Sequence, residues 1–510
     1  YVEAEVIMEA IEARRGNQRR DGSDLQMLGL LSMMHRYLDD PSFPEELKDP
    51  LEECVLNMYE PGSDAMCCMT ESQQILFHTC EILAGQLYPD RIFPVLTGHQ
   101  ARTGTNAGQS GQWHRERGER MAISWLRKRG TEGLQEWDSN CYFEQDLAAL
   151  AHLADLADNP EVWELAATMI DKILFTIALN SYQGAFGSTH GRTYAPFIKS
   201  ARLEATSPVS RLMFGLGALN NHFMGAVSLA CAKRYVLPAV IERIAWDQPE
   251  EMWNREHQGG ESGVDKVTYR TPDYMLSSAQ DYHPGERGYQ QHIWQATLGP
   301  DAVVFVNHPP CVSDENSRRP NFWCGNQVLP RVAQWRDVLI AIHNLPQDDW
   351  MGFTHAYFPI HAFDEHELRD GWAFARKGDG YLALTAAQGL ELITQGQSAY
   401  RELRSHGQDN IWLCHMGRAA QDGSFSEFQE KMLGLDVSFE GLSVRFSTLR
   451  DETLYFDWER PFTVNGEEQP ITGFKHYENP YCTADWPASE MEIRFGDRSL
   501  TLEFDETQGS

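Results

Sequence analysis

Between Asn180 and Tyr194 the chain leaves an apolar helix and runs Asn-Ser-Tyr-Gln-Gly-Ala-Phe-Gly-Ser-Thr-His-Gly-Arg-Thr-Tyr, which sets His190, Arg192 and Tyr194 at alternate positions. An imidazole, a guanidinium and a phenol together can bind a carboxylate and move protons beside it. Gly184, Gly187 and Gly191 let the backbone turn sharply and pass close to a ligand. The bland alternative for the same residues is a turn with a surface Arg and a half-buried Tyr. A second candidate stretch is Glu136-Trp-Asp-Ser-Asn-Cys-Tyr-Phe-Glu-Gln-Asp146. Asp138 or Ser139 suits an N-cap there, while Trp137, Asn140 and Tyr142 suit a sugar cleft, where an aromatic ring stacks on a pyranose and an amide binds carboxylate or hydroxyl groups.

The elements that must position these residues are helical as far as about residue 247. Apolar residues recur there at intervals of three and four, as in Leu147, Leu150, Leu153 and Ala154. Helices are expected near 2–15, 25–38, 46–58, 72–87, 115–129, 142–157, 160–180, 194–204, 209–219 and 222–247, broken at prolines such as Pro160 and Pro208. Short breaks between antiparallel neighbours suggest stacked hairpins forming an incomplete (α/α) toroid whose inner helices line a cleft. The stretch 99–113 has no periodicity and reads as a long loop, either a cleft loop or a passive connection.

Residues 248–275, with Pro249 and the Gly259-Gly260-Glu-Ser-Gly263 run, read as a linker. From 276 to 510 short β-type runs such as Val338-Leu-Ile-Ala-Ile342 and Leu442-Ser-Val-Arg-Phe446 argue for an antiparallel β-sandwich. The expected fold is therefore α+β and multidomain, with a helical toroid over 1–247 and a sandwich over 276–510.

The chain's 510 residues exceed what one core usually supports. A net charge of −31 argues against a nucleic-acid or anionic-membrane binder, which needs a large basic face. It leaves open an anionic substrate held by a few arginines. Ten cysteines without a CxxC pair make neither a disulfide scaffold nor a zinc ribbon, and only Cys67 and Cys68 are adjacent. Unpaired thiols and the lack of a signal-like start favour a cytoplasmic or periplasmic location, or a secreted one if a leader was trimmed. No apolar run is long enough for a membrane helix.

A helical toroid followed by a large β-sandwich, with Tyr, His and Arg clustered, resembles the polysaccharide lyases of the heparinase II/III and alginate lyase type. The resemblance implies β-elimination on a uronic-acid glycan or oligosaccharide, with no cofactor required. Arg192, aided by Asn140 or Asn180, would mask the C6 carboxylate, and Tyr194 with His190 would move protons at C5 and O4. Gln73 and Gln74 stand where related lyases place Asn or His at the cleft end of an inner helix. Asn220-Asn-His222 is similar to the Asn-Asn-His of toroid alginate lyases, which makes Asn221 and His222 substrate-binding candidates, although Arg and Tyr follow that motif in the family and precede it here. In the second domain, Tyr282–His292 and Gly352–Asp364 are rich in donors and aromatics, and such loops could close over the cleft and supply an extra His or Tyr, with His355 a substrate-binding candidate. A structural zinc in the sandwich would draw on His308, His355, His361 and Asp364. The competing readings are a glycoside hydrolase using Asp138 with Glu144 or Glu71, and a non-catalytic glycan-binding protein. Association into a homo-oligomer is left open.

Overall fold

The computed structural model describes residues 3–15, 23–57, 70–93, 108–315 and 318–505. Its first half is helical and its second is made of antiparallel sheets, an α+β architecture. The helices are α1 (Ala4–Arg15), α2 (Ser23–Tyr37), α3 (Glu45–Leu56), α4 (Glu71–Leu87), α5 (Gly111–Glu132), α6 (Phe143–Leu156), α7 (Pro160–Leu179), α8 (Ala195–Lys199), α9 (Ser207–Phe214), α10 (Met224–Cys231) and α11 (Ala239–Trp246). Among the described residues no helix is long and apolar enough to cross a membrane.

Two central helices show why the apolar period was informative. In α6 almost every side chain is buried, so it packs on neighbours all round, whereas α7 is one-sided in its first half and buried throughout from Lys172 to Leu179. Helix α7 starts where Asn159 Oδ1 accepts from Glu161 N at 3.0 Å and Pro160 fills the first turn. It ends at Asn180, which enters the site stretch.

Later helices are shorter than expected. The helix expected over 222–247 splits into α10 and α11, because Pro238 cannot donate to a preceding turn and Asp155 Oδ1 captures the Lys233 backbone N–H at 2.7 Å. The helix expected over 209–219 stops at Phe214, where Gly215 takes a left-handed conformation with φ 72°. The 194–204 helix is reduced to α8 and a 3₁₀ turn.

The expected linker at 248–275 is instead sheet. Strands β1 (Met252–Gln258) and β2 (Val264–Arg270) pair antiparallel, with Met252 opposite Arg270, and β3 (Met275–Gln280) follows. The alternation in β1 is real, but its buried face carries Asn254, Glu256 and Gln258, so a hydrophobic pattern does not reveal it. With β4 (Trp294–Thr297) and β5 (Val303–Asn307) these strands form the middle of a ten-stranded sheet among the described residues. A six-stranded sheet faces it across one core, in which Leu276, Trp294 and Val304 meet Leu339, Leu382 and Trp412. A five-stranded sheet and the helix Phe425–Leu433 cover the other face of the six-stranded sheet. The last hairpin, Glu490–Phe495 with Arg498–Glu503, returns to the helices: Met491, Ile493, Leu502 and Phe504 belong to the helical core. A division into 1–247 and 276–510 therefore separates residues that share one interior.

The halves are joined by buried charge. Lys266 on β2, 1% exposed, sits between Asp138 and Glu256, with its Nζ 2.9 Å from Glu256 Oε2. Asn180 Nδ2 donates to Glu256 Oε1 at 3.0 Å and Thr268 Oγ1 donates to Asn180 Oδ1 at 2.7 Å. Burial alone would raise Glu256, but Lys266 and the Asn180 and Asn254 amides hold it below the ordinary value. Burial outweighs the ammonium at Asp138, whose carboxyl is pushed up to about 6. Removing one partner of such a group strands the others without compensation. Lys266→Met is therefore expected to lower unfolding free energy by about 3–5 kcal/mol in chemical denaturation, and a loss under ~1 kcal/mol would show that the network does not hold the halves together.

Candidate active site

Where α8, the 220–223 turn and the 318–320 loop meet, they form an open pocket of about 470 Å³. Tyr194, Asn220, Asn221, His222 and Arg319 supply its polar lining, and Pro196, Phe197 and Leu203 supply the apolar part. Among the described residues no Asp or Glu lines it.

Tyr194 stands just before α8 in extended backbone, and its hydroxyl is 2.8 Å from that of Tyr142. Behind this pair, the Arg192 guanidinium lies 4.7 Å from the centre of the Tyr142 ring. Arg192 Nη1 donates to Glu136 Oε1 at 2.8 Å, and Nη2 reaches the Tyr142 oxygen at 3.4 Å. Burial raises the Tyr142 phenol, which keeps its proton on. Burial works against the Arg192 charge, but Glu136 outweighs it and raises the guanidinium above its ordinary value. Arg319 covers the other tyrosine, 4.7 Å from the centre of the Tyr194 ring.

His222 is presented by a tight turn. Asn220 Oδ1 accepts the His222 backbone N–H at 2.7 Å, and the Asn220 amide donates to the carbonyls of Arg202 and Glu204 at 2.9 and 2.8 Å. Phe197 separates His222 from Tyr194, with ring centres 5.1 and 5.9 Å away and edge-on contacts to both. Partial burial holds the imidazole below its ordinary value, so it is neutral at neutral pH and able to accept a proton. Its Nδ1 is 3.9 Å from Glu144 Oε2. Burial pushes the Glu144 carboxyl up to about 7, and the Met224 N–H donates to it at 2.8 Å.

Of the residues expected in the site, Tyr194, Asn221 and His222 line this pocket, and Tyr142 and Arg192 stand directly behind Tyr194. His190 does not. It has no exposed surface, its backbone pairs with His292, its Nδ1 donates to the Asp138 carbonyl at 2.5 Å, and burial pushes its imidazole well below the ordinary value. Asn140 is equally buried and accepts from Thr193 Oγ1 at 2.6 Å. Trp137 belongs to the core between the sheets, with its indole N–H donating to Thr189 at 3.1 Å and its ring against Tyr282. Asn180 is held in the Glu256 network. Gln73 and Gln74 lie in the first turn of α4, where Gln73 Oε1 accepts from Thr70 Oγ1 at 2.9 Å, and neither lines the pocket. His355 is enclosed between Glu402 and the Phe322 carbonyl and stacks on Trp323 at 4.1 Å. None of these side chains lines the pocket.

The four zinc candidates do not meet. His355 is enclosed as described and His308 pairs with Asp349 at 3.1 Å, whereas Asp364 is at the surface with Lys377 and His361 is exposed. Among the described residues no group of three His, Cys, Asp or Glu is arranged to hold a metal ion. The hydrolase carboxylates are also elsewhere: Asp138 is bound to Lys266 and Glu71 to Arg129, and Glu144 is buried behind His222. The 99–113 loop lies outside the described residues up to 107, as do Cys67 and Cys68. Arg319 and Glu136 went unnoticed in the sequence; Glu136 falls inside a stretch already singled out, but Arg319 has no local pattern to mark it.

Gly191 sets the stretch against its support. Its N–H donates to the Trp137 carbonyl at 2.8 Å, and a Cβ added there would lie 2.6 Å from the Trp137 ring and 2.8 Å from its backbone N. Gly191→Ala is accordingly expected to cost about 1–3 kcal/mol of stability by overpacking. Denaturation midpoints check this, and an unchanged midpoint would show that the contact relaxes freely.

No family model matches the chain, and no curated protein matches it. Solved structures similar to it include a mutant of the chondroitin AC lyase of Streptomyces coelicolor A3, with a TM-score of 0.38 and 10% sequence identity over 98% of this chain and 80% of that one. A superposition that loose transfers no residue role from one chain to the other.

Proposed function

We propose that the chain is a polysaccharide lyase that cleaves a uronic-acid-containing glycan by β-elimination in the Tyr194–His222 pocket, at one edge of a helical toroid that packs on the β-sandwich. The observation that carries this reading is the composition of the lining among the described residues: a phenol, an imidazole, amides and a guanidinium, with no carboxylate. A hydrolase of the usual kind needs two carboxyl groups facing each other about 5–10 Å apart. Elimination instead needs a masked substrate carboxylate, a base and an acid, which are the groups present.

In the proposed sequence, polar groups of the pocket, the Asn221 amide among them, bind the C6 carboxylate and so acidify the C5 proton. Neutral His222 accepts that proton. The electron pair left at C5 forms the C4–C5 double bond as the C4–O4 bond breaks, and Tyr194 protonates the departing O4. Tyr142 supports Tyr194 through the hydroxyl contact, and Arg192 with Glu136 fixes Tyr142. The proton on His222 then returns to Tyr194 through solvent or product exchange, which restores the resting state.

The test is cleavage of a panel of glucuronate, mannuronate and guluronate polymers, followed by the ultraviolet absorbance of the new unsaturated end. Tyr194→Phe and His222→Ala are each expected to lower kcat by about 10²–10⁴-fold. Absence of the unsaturated product across the panel, or full activity in both variants, would contradict the proposal. Because His222 must be neutral to accept the proton and is held below its ordinary value of 6.5, kcat/KM should rise with pH through a midpoint lower than that value. A rising limb centred above it would assign the base elsewhere.

A further inference from the structure

A buried carboxyl group with no part in the proposed proton transfers lies behind the pocket's imidazole. It belongs to Glu144, in the first turn of α6, and its Oε2 is 3.9 Å from His222 Nδ1. The other oxygen is fixed. Oε1 accepts the Met224 N–H at 2.8 Å, the Gly225 N–H bonds to the same carboxyl, and a Cβ added at Gly225 would lie 3.0 Å from Glu144 Cγ. The first turn of α10 therefore grips the group and sets which oxygen is left for His222. Among the described residues no other basic side chain is within ion-pair range of Glu144. The imidazole is held from its own side, by the bond from its backbone N–H to Asn220 and by the edge-on Phe197 ring 5.1 Å away.

We propose that Glu144 is a positioning residue that acts through His222: its Oε2 accepts the Nδ1–H of the imidazole and so leaves Nε2 as the nitrogen that takes the C5 proton. Its part in catalysis rests on the lyase reading of the pocket. A neutral imidazole has one N–H, and the acceptor beside it decides which nitrogen carries the proton. In water that proton favours Nε2, which would leave the base facing away from the substrate. A carboxyl oxygen behind Nδ1 reverses the preference, and it also stabilises the imidazolium that forms once the C5 proton has arrived. At 3.9 Å the two groups stand one small side-chain movement from a hydrogen bond, of the kind that tightens when substrate fills a site. The proton count balances: Nδ1 keeps its proton throughout, Nε2 gains the one from C5 and later releases it, and Glu144 neither gains nor loses one. Such a role needs no contact with the sugar, in keeping with the place of Glu144 behind the imidazole.

The experiment labels the histidines of the full chain with heavy nitrogen and reads the His222 ring by NMR, with His222→Ala to assign its signals. The pH is set well above about 7, the value to which burial pushes the Glu144 carboxyl. The wild type is expected to carry its imidazole proton on Nδ1. In Glu144→Gln the Met224 and Gly225 N–H groups still require the side-chain oxygen, so the amide NH2 is turned to the imidazole. The proton should then move to Nε2, with kcat lowered about 10–100-fold and little change in KM. In a His222→Ala background the same substitution should cost nothing further, because a positioning residue has nothing left to act on, whereas a purely structural role would keep its full cost. Folding of each variant is checked by denaturation midpoint. A wild-type proton on Nε2 would overturn the inference without need of any variant. An unchanged kcat in Glu144→Gln, or an undiminished loss from it in the His222→Ala background, would overturn it too. If the proton is on Nδ1 and moves in Glu144→Gln, yet no uronate polymer gives an unsaturated product, the lyase reading fails and the His222–Glu144 pairing stands.

Discussion

One ammonium buried between two carboxylates governs how this chain is put together. Lys266 contacts Asp138 from the loop before α6 and Glu256 from β1, in a place where none of the three is more than 1% exposed. In a dry interior a charge without a partner is far more costly than the gain from any single contact. The loop, the first two strands and the end of α7 are therefore confined to one mutual arrangement. Asp138 passes that constraint on: Ser188 donates to its carboxylate, and His190 donates to its carbonyl. The glycine-rich stretch after α7 is held along its length before it reaches the surface at Tyr194.

The pocket is consequently fixed at the back and open at the front. Behind it, Glu136, Arg192 and Tyr142 form a chain of contacts that ends at the Tyr194 hydroxyl. In front, the Asn220 turn presents His222, whose side chain is 46% exposed, and the 318–320 loop brings Arg319 across from the sheets. Preorganised donors at the edge of a site cost little to keep in place during a reaction, because the protein has already met that cost in folding. The polar residues that never reach the pocket, His190, Asn140 and Asn180, belong to this support.

Sequence patterns made the helices legible wherever packing is apolar: α6 and α7 were read from their spacing, and Asn159-Pro160 marked a true start. Strand β1 was hidden because its buried face is polar, and β2 because Lys266, Thr268 and Arg270 interrupt its apolar residues. At the site, residue types were easier to read than their positions. His190, Arg192 and Tyr194 are adjacent in sequence, but the chain passes from a buried bridge with His292 to the surface within that span, so only Tyr194 lines the pocket. The pocket's imidazole and side-chain amide come from the Asn220-Asn221-His222 turn, visible as a motif and read there as substrate-binding, although its order relative to the arginine and tyrosine is reversed from that of the family. Folding makes that order immaterial. Arg319 could not be read at all, since its place depends on a sheet loop crossing to a helix end.

The most direct test of the central claim is the mass of the products formed from a uronate polymer in water enriched in heavy oxygen. Elimination breaks the C4–O4 bond without adding water, so the new unsaturated and reducing ends should together weigh the same as the uncut chain and carry no label from the cleavage step. One heavy oxygen incorporated per cut, with no double bond, would mean hydrolysis and would contradict the account.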